Sequence, residues 1–228
     1  KVVLMVGGLG RRLSPLTDNL PKPLLNVGNK PLLETIIDNF SKYGLKNFIL
    51  SVNYKSEMIE DYFGDGSKFG VNIKYAHENK RMGTAGALSL MREELTTTFL
   101  VMNGDLLTNI NFDHMISYHV EYQAVATMGI KQYDLQVPYG VVNVNEQRIV
   151  SIEEKPSHKF FVNAGIYILD KSVLNEIPYD TFYDMPTLFE TIIANNNIAV
   201  SFLIREYWLD VGQRSDYEQA NSEYSGVF

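Results

Sequence analysis

Several segments of this chain carry residue types that suit phosphate chemistry. In "VLMVGGLGRRLSPLT" an apolar run from Val2 to Val6 stops in a turn holding Gly7, Gly8 and Gly10, and Arg11 and Arg12 follow at once. Bare glycine backbone lets N–H groups approach phosphate oxygens with no Cβ in the way. The turn is not a Walker A sequence, because no Gly-Lys-Ser/Thr ends it, and the spacing of a dinucleotide fingerprint fails after Gly10. Alone, it reads equally well as a plain turn with a basic tip. "MGTAGAL" puts Gly83 and Thr84 where a helix opens, a place that offers free N–H groups and a positive dipole end.

Fixed charges accompany these turns. In "LPKPLL" Pro21 and Pro23 hold the backbone on either side of Lys22, so that side chain leaves from a stiff platform. With Arg12 at the same sheet end, the pair could neutralise a triphosphate; an exposed lysine in a Pro-bounded loop is the plain alternative. Asp105 ends a strand in "VMNGD" and Asp210 follows another in "YWLDVG". Magnesium takes one or two carboxylates plus phosphate oxygens, which two such aspartates would suit, although aspartates also commonly begin turns. "VSIEEKP" places Glu153, Glu154 and Lys155 just past a strand, and "FVNAGIY" puts Asn163 in the next. A carboxylate and an amide can bind hydroxyls and a lysine a phosphate; a charged turn is the simpler reading of that segment by itself. The histidines read as ordinary polar residues: His114 and His119 are five apart, and no H-E-x-x-H occurs.

These residues need elements to position them. "KVVLMV" reads as a buried strand and "KPLLETIIDNFSKYG" as an amphipathic helix, with Leu32, Leu33, Ile36, Ile37 and Phe40 at 3.6 spacing. "NFILSVN", "VNIKYA" and "TFLVMNGD" read as strands, with "KSEMIEDYF" and "TAGALSLMREEL" as helices between them. Regular exchange of strand and helix predicts a parallel sheet covered on both faces, and such sheets bind ligands at their carboxyl ends. After about residue 123 strands dominate ("AVATMGI", "YGVVNVN", "RIVSIEEK", "FVNAGIYIL"), predicting an antiparallel or mixed extension beside the parallel core. "MPTLFETIIANN", "IAVSFLI" and "QRSDYEQANSEY" read as helix, strand and closing helix. The expected organisation is one unit, 1–228, with a nucleotide-binding half (1–123) and an acceptor half (124–228).

Composition narrows the partners. The 228 residues are 45% hydrophobic and 21% charged, an ordinary globular balance. The net charge of -7 argues against nucleic acid as a partner, while leaving room for a local basic pocket. No apolar run approaches the roughly 18 residues of a membrane span, so no membrane is expected. The absence of cysteine excludes disulfides, thiolate metal sites and a thiol nucleophile, and fits a reducing, cytoplasmic setting.

Taken in order, "GGLGRRLSPLT", "PKP", "GTAGAL", "NGD", "EEKP", "NAGIY" and "WLDVG" resemble the nucleotidyltransferase family of sugar-nucleotide pyrophosphorylases. Its pattern runs G-G-x-G-T-R-L-x-P-L-T, P-K-P, G-T-A, G-D, E-K-P, N-A-G-I-Y and W-x-D-x-G. The resemblance implies a Rossmann-like α/β/α sandwich with a mixed, mainly parallel central sheet, a GT-A-like nucleotidyltransferase fold. It implies a reaction of nucleoside triphosphate with sugar 1-phosphate, giving the nucleotide sugar and pyrophosphate. By position, Gly7, Gly8, Gly10, Gly83 and Thr84 would hold the nucleotide, Arg12 the β- and γ-phosphates, and Lys22 the α-phosphate. Asp105 and Asp210 would hold Mg²⁺; Lys155 would grip the sugar phosphate, with Gly140, Glu154 and Asn163 lining the sugar pocket.

The same resemblance places Glu78, five residues before Gly83, against the base. A carboxylate only accepts, which matches the adjacent N1–H and N2–H₂ donors of guanine better than the single N3–H of uracil or thymine. "VPYGVV", "FFVNAGIYIL" and "REYWLD" look most like a hexose or amino-sugar 1-phosphate guanylyltransferase subgroup, with glucosamine 1-phosphate as one acceptor and, in some members, CBS domains upstream. That leads to the expectation of a regulatory domain ahead of Lys1, and of no left-handed β-helix domain after the last helix; a homo-oligomer is compatible with it. Departures are Arg11 where the family usually has Thr, Lys80 and Arg81 in place of an acidic-Pro pair, and Gln213 in place of Thr. The alternatives are a thymidylyl- or uridylyltransferase on glucose 1-phosphate, and a non-catalytic nucleotide-sugar sensor.

Overall fold

Alternation along the apolar strands produces one sheet with two buried faces. The computed structural model describes residues 1–228. Its first elements are β1 (Val2–Met5), the short β2 (Asn26–Val27) and β3 (Lys30–Pro31), α1 (Leu32–Lys42), β4 (Asn47–Val52), α2 (Ser56–Phe63), β5 (Asn72–His77) and the single turn α3 (Gly83–Gly86). Then come β6 (Phe99–Asn103), β7 (Leu106–Thr108), α4 (Phe112–Glu121), β8 (Ala126–Gln136), β9 (Gly140–Asn145), β10 (Arg148–Glu154) and β11 (Ser157–Leu169). The chain closes with α5 (Met185–Ala194), β12 (Ala199–Leu203), β13 (Trp208–Asp210) and α6 (Arg214–Val227).

The central sheet has seven strands in the order β12-β8-β11-β6-β1-β4-β5. Only β11 runs against the others: it is antiparallel to β6 and β8, while β1, β4, β5 and β6 are mutually parallel and β12 is parallel to β8. This is the mixed, mainly parallel sheet expected. Val2 and Leu4 face a core made with Leu33, Ile37 and Phe40 of α1 and with Phe112 of α4, whose ring stacks on Phe40 at 4.0 Å. Val3, one residue out of phase, faces the opposite core with Leu188 and Ile192 of α5. Each such side chain contributes about 1.5–3 kcal/mol by leaving water. Period-2 burial on both faces therefore fixes the register of β1, and a one-residue slip would exchange the two cores.

The chain from β1 passes to β4 and β5 on one side and to β6 on the other, so the strand order reverses between β1 and β6. Ligands of open α/β sheets bind at such a point. The loops after β1 and β6 are the glycine turn and "NGD". Short β13 pairs antiparallel with β7, with Asp210 opposite Leu106, which carries Asp210 back beside Asp105.

Three local expectations differ. "TAGALSLMREEL" is not a regular helix but one α-turn followed by a 3₁₀ segment, Ala87–Met91. Gly86 lies so close to another chain segment that an added Cβ would stand 2.4 Å from Thr181 O, and Ser89 Oγ takes the Gly86 carbonyl at 2.7 Å, competing with the helical ladder. Helix α4, which the apolar pattern misses, is capped by Asn111 accepting from the His114 N–H at 3.0 Å; it buries His119 beside Phe112 and Met115, so a polar residue holds part of its inner stripe. Finally, β9 and β10 do not lie beside the core. They pair only with each other, in a projecting two-stranded arm, and Glu153 and Glu154 belong to β10 rather than to the turn beyond it.

Candidate active site

A cleft of about 580 Å³ opens at the carboxyl ends of β1, β4, β5 and β6. Its floor is the glycine turn. Gly7, Gly8, Leu9 and Gly10 donate their N–H groups to no acceptor in the protein, which leaves a row of unused donors facing the cleft. The turn is held from below: Gly10 sits at φ +62, its carbonyl accepts from Leu13 N (2.9 Å) and Thr17 Oγ1 (2.9 Å), and buried Leu13 anchors the short 3₁₀ turn that carries Arg12. Gly8 is different. A Cβ there would meet nothing within 4 Å, so the fold itself does not require glycine at that position.

The other glycine turn behaves otherwise. Gly83, at φ +75, and Thr84 do line the cleft, but the next three N–H groups of the turn, those of Thr84, Ala85 and Gly86, are taken. Thr84 N donates to Asp184 Oδ1 (3.1 Å), and Ala85 N and Gly86 N donate to Tyr183 O (2.9 and 2.8 Å). The expected free helix N-terminus is thus capped by the 181–185 segment, and Thr84 Oγ1 also accepts from Met185 N at 2.8 Å. Close backbone approach explains the glycine: a Cβ on Gly83 would stand 2.6 Å from Tyr183 O.

The charges gather on the β6 side. Lys22 and Asp105 form an ion pair, Nζ to Oδ2 at 2.7 Å, with Lys22 largely buried between Pro21 and Pro23. Asp210 lies behind them. Its Oδ1 is buried and has no hydrogen-bond partner, the only such side-chain atom in the protein. Burial and the neighbouring Asp105 push its carboxyl above the ordinary aspartate range, although Lys22 and Arg12 pull the other way. Asp216 Oδ2 accepts from Gly212 N (3.1 Å) and Gln213 N (2.9 Å) at the start of α6, fixing the loop after Asp210. A buried carboxylate oxygen without a donor costs stability unless a cation meets it. Two adjacent aspartates, with no third His, Asp or Glu to close a cage, suit a small hard divalent ion that completes its shell with phosphate oxygens and water.

On the far wall stands Glu78, just past β5. Its Oε1 accepts from Ser51 Oγ at 2.7 Å, and Asn53 Nδ2 donates to its backbone carbonyl at 2.6 Å. Burial pushes the Glu78 carboxyl above the ordinary glutamate range, against opposing hydrogen bonds from Ser51 and the Met82 backbone. Gly7 is close by: a Cβ there would stand 3.0 Å from Glu78 Oε1.

The structure therefore brings Gly7, Gly8, Gly10, Arg12, Lys22, Glu78, Gly83, Thr84 and Asp105 to one cleft, with Asp210 directly behind. It does not bring Gly140, Glu154, Lys155 or Asn163 to the cleft wall. Gly140 and Glu154 are cross-strand partners on the exposed arm, and Lys155 bends the chain at φ +47. Asn163 is exposed near the β6 end, where its Oδ1 accepts from Gly165 N at 2.9 Å. Sequence reasoning passed over Asn53, Asn103, Phe182 and Asp184, all on the cleft wall. Asn53 and Asn103 end or follow strands β4 and β6, so the carboxyl-end rule could have found them; Asp184 precedes Met185-Pro186 as a helix-start signal, but its cross-chain bond to Thr84 has no signature in sequence.

The family model described as Nucleotidyl transferase matches residues 1–226. A mannose-1-phosphate guanyltransferase of Yarrowia lipolytica is 37% identical, covering 95% of this chain and 62% of that protein. This chain thus spans 62% of the length of that relative. A D-glycero-alpha-D-manno-heptose 1-phosphate guanylyltransferase of Aneurinibacillus thermoaerophilus is 31% identical, covering 98% of this chain and 97% of that protein. Among solved structures, HddC from Yersinia pseudotuberculosis complexed with GMP-PN superposes with a TM-score of 0.75 at 25% identity, covering 98% of both chains.

Proposed function

We propose a reaction from one premise: the chain belongs to the nucleotidyl transferase family. In this reading it transfers GMP from GTP to a sugar 1-phosphate and releases pyrophosphate. The observation that carries it is the meeting, at the β1/β6 switch point, of undonated glycine N–H groups with the Lys22–Asp105 pair and the orphaned Asp210 oxygen. The sequence likeness to guanylyl transferases favours GTP, and Glu78 supplies a physical reason, since its carboxylate can accept from guanine N1–H and N2–H₂ together. Both relatives named above act on manno-configured sugar 1-phosphates, which makes those the first acceptors to try, ahead of glucosamine or glucose 1-phosphate.

The chemistry asks little beyond placement and charge. An oxygen of the sugar phosphate, already an anion, attacks the α-phosphorus of GTP; a P–O bond forms to it while the bond to the β-phosphate breaks and pyrophosphate leaves with the electron pair. No proton moves, so no general base is needed. The Gly7–Gly10 donors and Arg12 hold the β- and γ-phosphates, where leaving-group charge collects. Lys22 releases Asp105 and turns to the α-phosphate. Mg²⁺ held by Asp105 and Asp210 would supply neutralisation of phosphate charge, and the orphaned Asp210 oxygen fits that role. Positioning and electrostatics carry the catalysis.

Lys22→Ala and Asp105→Ala should each lower turnover by roughly 10²- to 10³-fold with folding intact by circular dichroism; full activity in both would remove the assignment. A sensor built on this fold would have no need of Arg12, Lys22, Asp105 and Asp210 together, and their gathering around one cleft weighs for the enzyme.

A further inference from the structure

We infer that Arg81 is a second reader of guanine, its guanidinium forked onto O6 and N7 while Glu78 takes N1–H and N2–H₂. The inference rests on the proposed use of GTP and adds the residue that tells guanine from adenine. The cations of the cleft divide into two groups. Arg11 and Arg12 follow the glycine turn, a Cβ on Gly10 would stand 3.4 Å from Lys22 Cβ, and Lys22 is itself paired with Asp105. These belong to the phosphate end. Arg81 is the remaining cation of the cleft lining, and it stands on the opposite wall, three residues after Glu78.

The loop that carries Arg81 is pinned on both sides. Glu78 N donates to Val52 O at 2.8 Å, and the Met82 backbone N–H returns to the Glu78 carboxylate, closing the loop on itself. Tyr183 N donates to Met82 O at 2.9 Å, and the Met82 side chain is buried. Lys80 is engaged by Asp180, Nζ to Oδ2 at 2.9 Å. Arg81 lies between these anchored residues with an exposed side chain and no ion-pair partner. A fixed backbone under a free planar fork favours two-point recognition at a small ordering cost.

The edge of the base says what that fork meets. On guanine, O6 is the neighbour of N1–H, and N7 follows O6 around the ring. A group that reads O6 and N7 must therefore stand beside the one that reads N1–H and N2–H₂, as Arg81 does beside Glu78. Two adjacent acceptors match two N–H donors of a guanidinium, the commonest specific contact of arginine with guanine. Glu78 alone excludes adenine poorly, because its carboxylate can accept from adenine N6–H₂. Arg81 supplies the repulsive element: it has donors only, and adenine sets a donor where guanine has O6.

Altering one atom of the ligand makes the test direct. Calorimetric titration with Mg²⁺ and no sugar phosphate reads affinity for GTP, for 7-deaza-GTP, which has C–H in place of N7, and for ITP, which lacks the 2-amino group. The unmodified protein should bind 7-deaza-GTP roughly tenfold more weakly than GTP, since one charge-assisted hydrogen bond is lost. Arg81→Met should weaken GTP by at least that factor and bring GTP and 7-deaza-GTP within about twofold of each other. The same variant should keep the GTP to ITP ratio, which reports on Glu78. Equal affinity of the unmodified protein for GTP and 7-deaza-GTP overturns the inference, and it needs no variant to fold. Equal losses for both nucleotides in Arg81→Met overturn it as well and move the guanidinium to a phosphate. Either result leaves the proposed reaction standing, whereas failure to bind any of the three nucleotides removes both.

Discussion

Gly8 separates what the fold requires from what the ligand requires. Gly10, Gly83 and Gly86 are demanded by a positive φ or by close backbone contact, whereas a Cβ at Gly8 would point into open space. Gly8→Ala should therefore leave the melting temperature within about 1 °C while lowering turnover at least roughly tenfold, through crowding of the phosphate oxygens. A matching loss of stability would mean that the glycine is structural. Asp210 gives the converse case. Its orphaned, buried oxygen burdens the metal-free protein, so Asp210→Asn should raise the melting temperature of that form by roughly 2–6 °C and abolish further stabilisation by added Mg²⁺. A variant that still gains stability from Mg²⁺ would place the ion elsewhere. Glu78 connects the site to pH. Reading guanine needs the carboxylate, and burial raises the Glu78 pKa; as pH falls, the group protonates earlier than an exposed glutamate would. KM for GTP should accordingly rise on the acid side at a pH above the ordinary glutamate range, and Ser51→Ala, which removes a hydrogen bond to the charged form, should move that rise to still higher pH. A GTP KM flat through that range, or unmoved by Ser51→Ala, would contradict base reading by Glu78.

Among elements, the legible ones were those whose positions are set by local periodicity. β1, α1, β4, α2, β5 and β6 could be read because apolar spacing of two or 3.6 residues reports burial directly, Gly7–Gly10 and Asp105 could be placed because they follow such strands, and Lys22 because Pro21 and Pro23 fix its backbone. Helix α4 escaped because His119 and Tyr118 occupy its inner and flanking positions, so the apolar count falls below a helical stripe. The Gly83–Gly86 turn was misjudged for a different reason: its donors are claimed by Tyr183 and Asp184, about a hundred residues away in sequence, and no local signal encodes that. This capping makes its own prediction. Asp184→Ala frees Thr84 N and Thr84 Oγ1 and should cost about 1–2 kcal/mol of stability, seen as an earlier denaturant midpoint; an unchanged midpoint would mean that water replaces the contact without loss.

At the scale of the whole molecule, the residues expected to meet the nucleotide and those expected to meet the sugar sit on unequally supported parts of the fold. The nucleotide side rests on four parallel strands between two cores. Lys155, which the resemblance assigns to the sugar phosphate, and Gly140 and Glu154, which it assigns to the sugar pocket, ride on the base of the arm and stand outside the cleft. The most direct measurement of the reaction itself is pyrophosphate release with Mg²⁺, pairing GTP, dTTP, UTP, CTP and ATP with mannose, manno-heptose, glucosamine and glucose 1-phosphates. Release that requires both substrates and is fastest with GTP and a manno-configured acceptor is the predicted result. No release with any pair, from protein that still binds nucleotide, would contradict it.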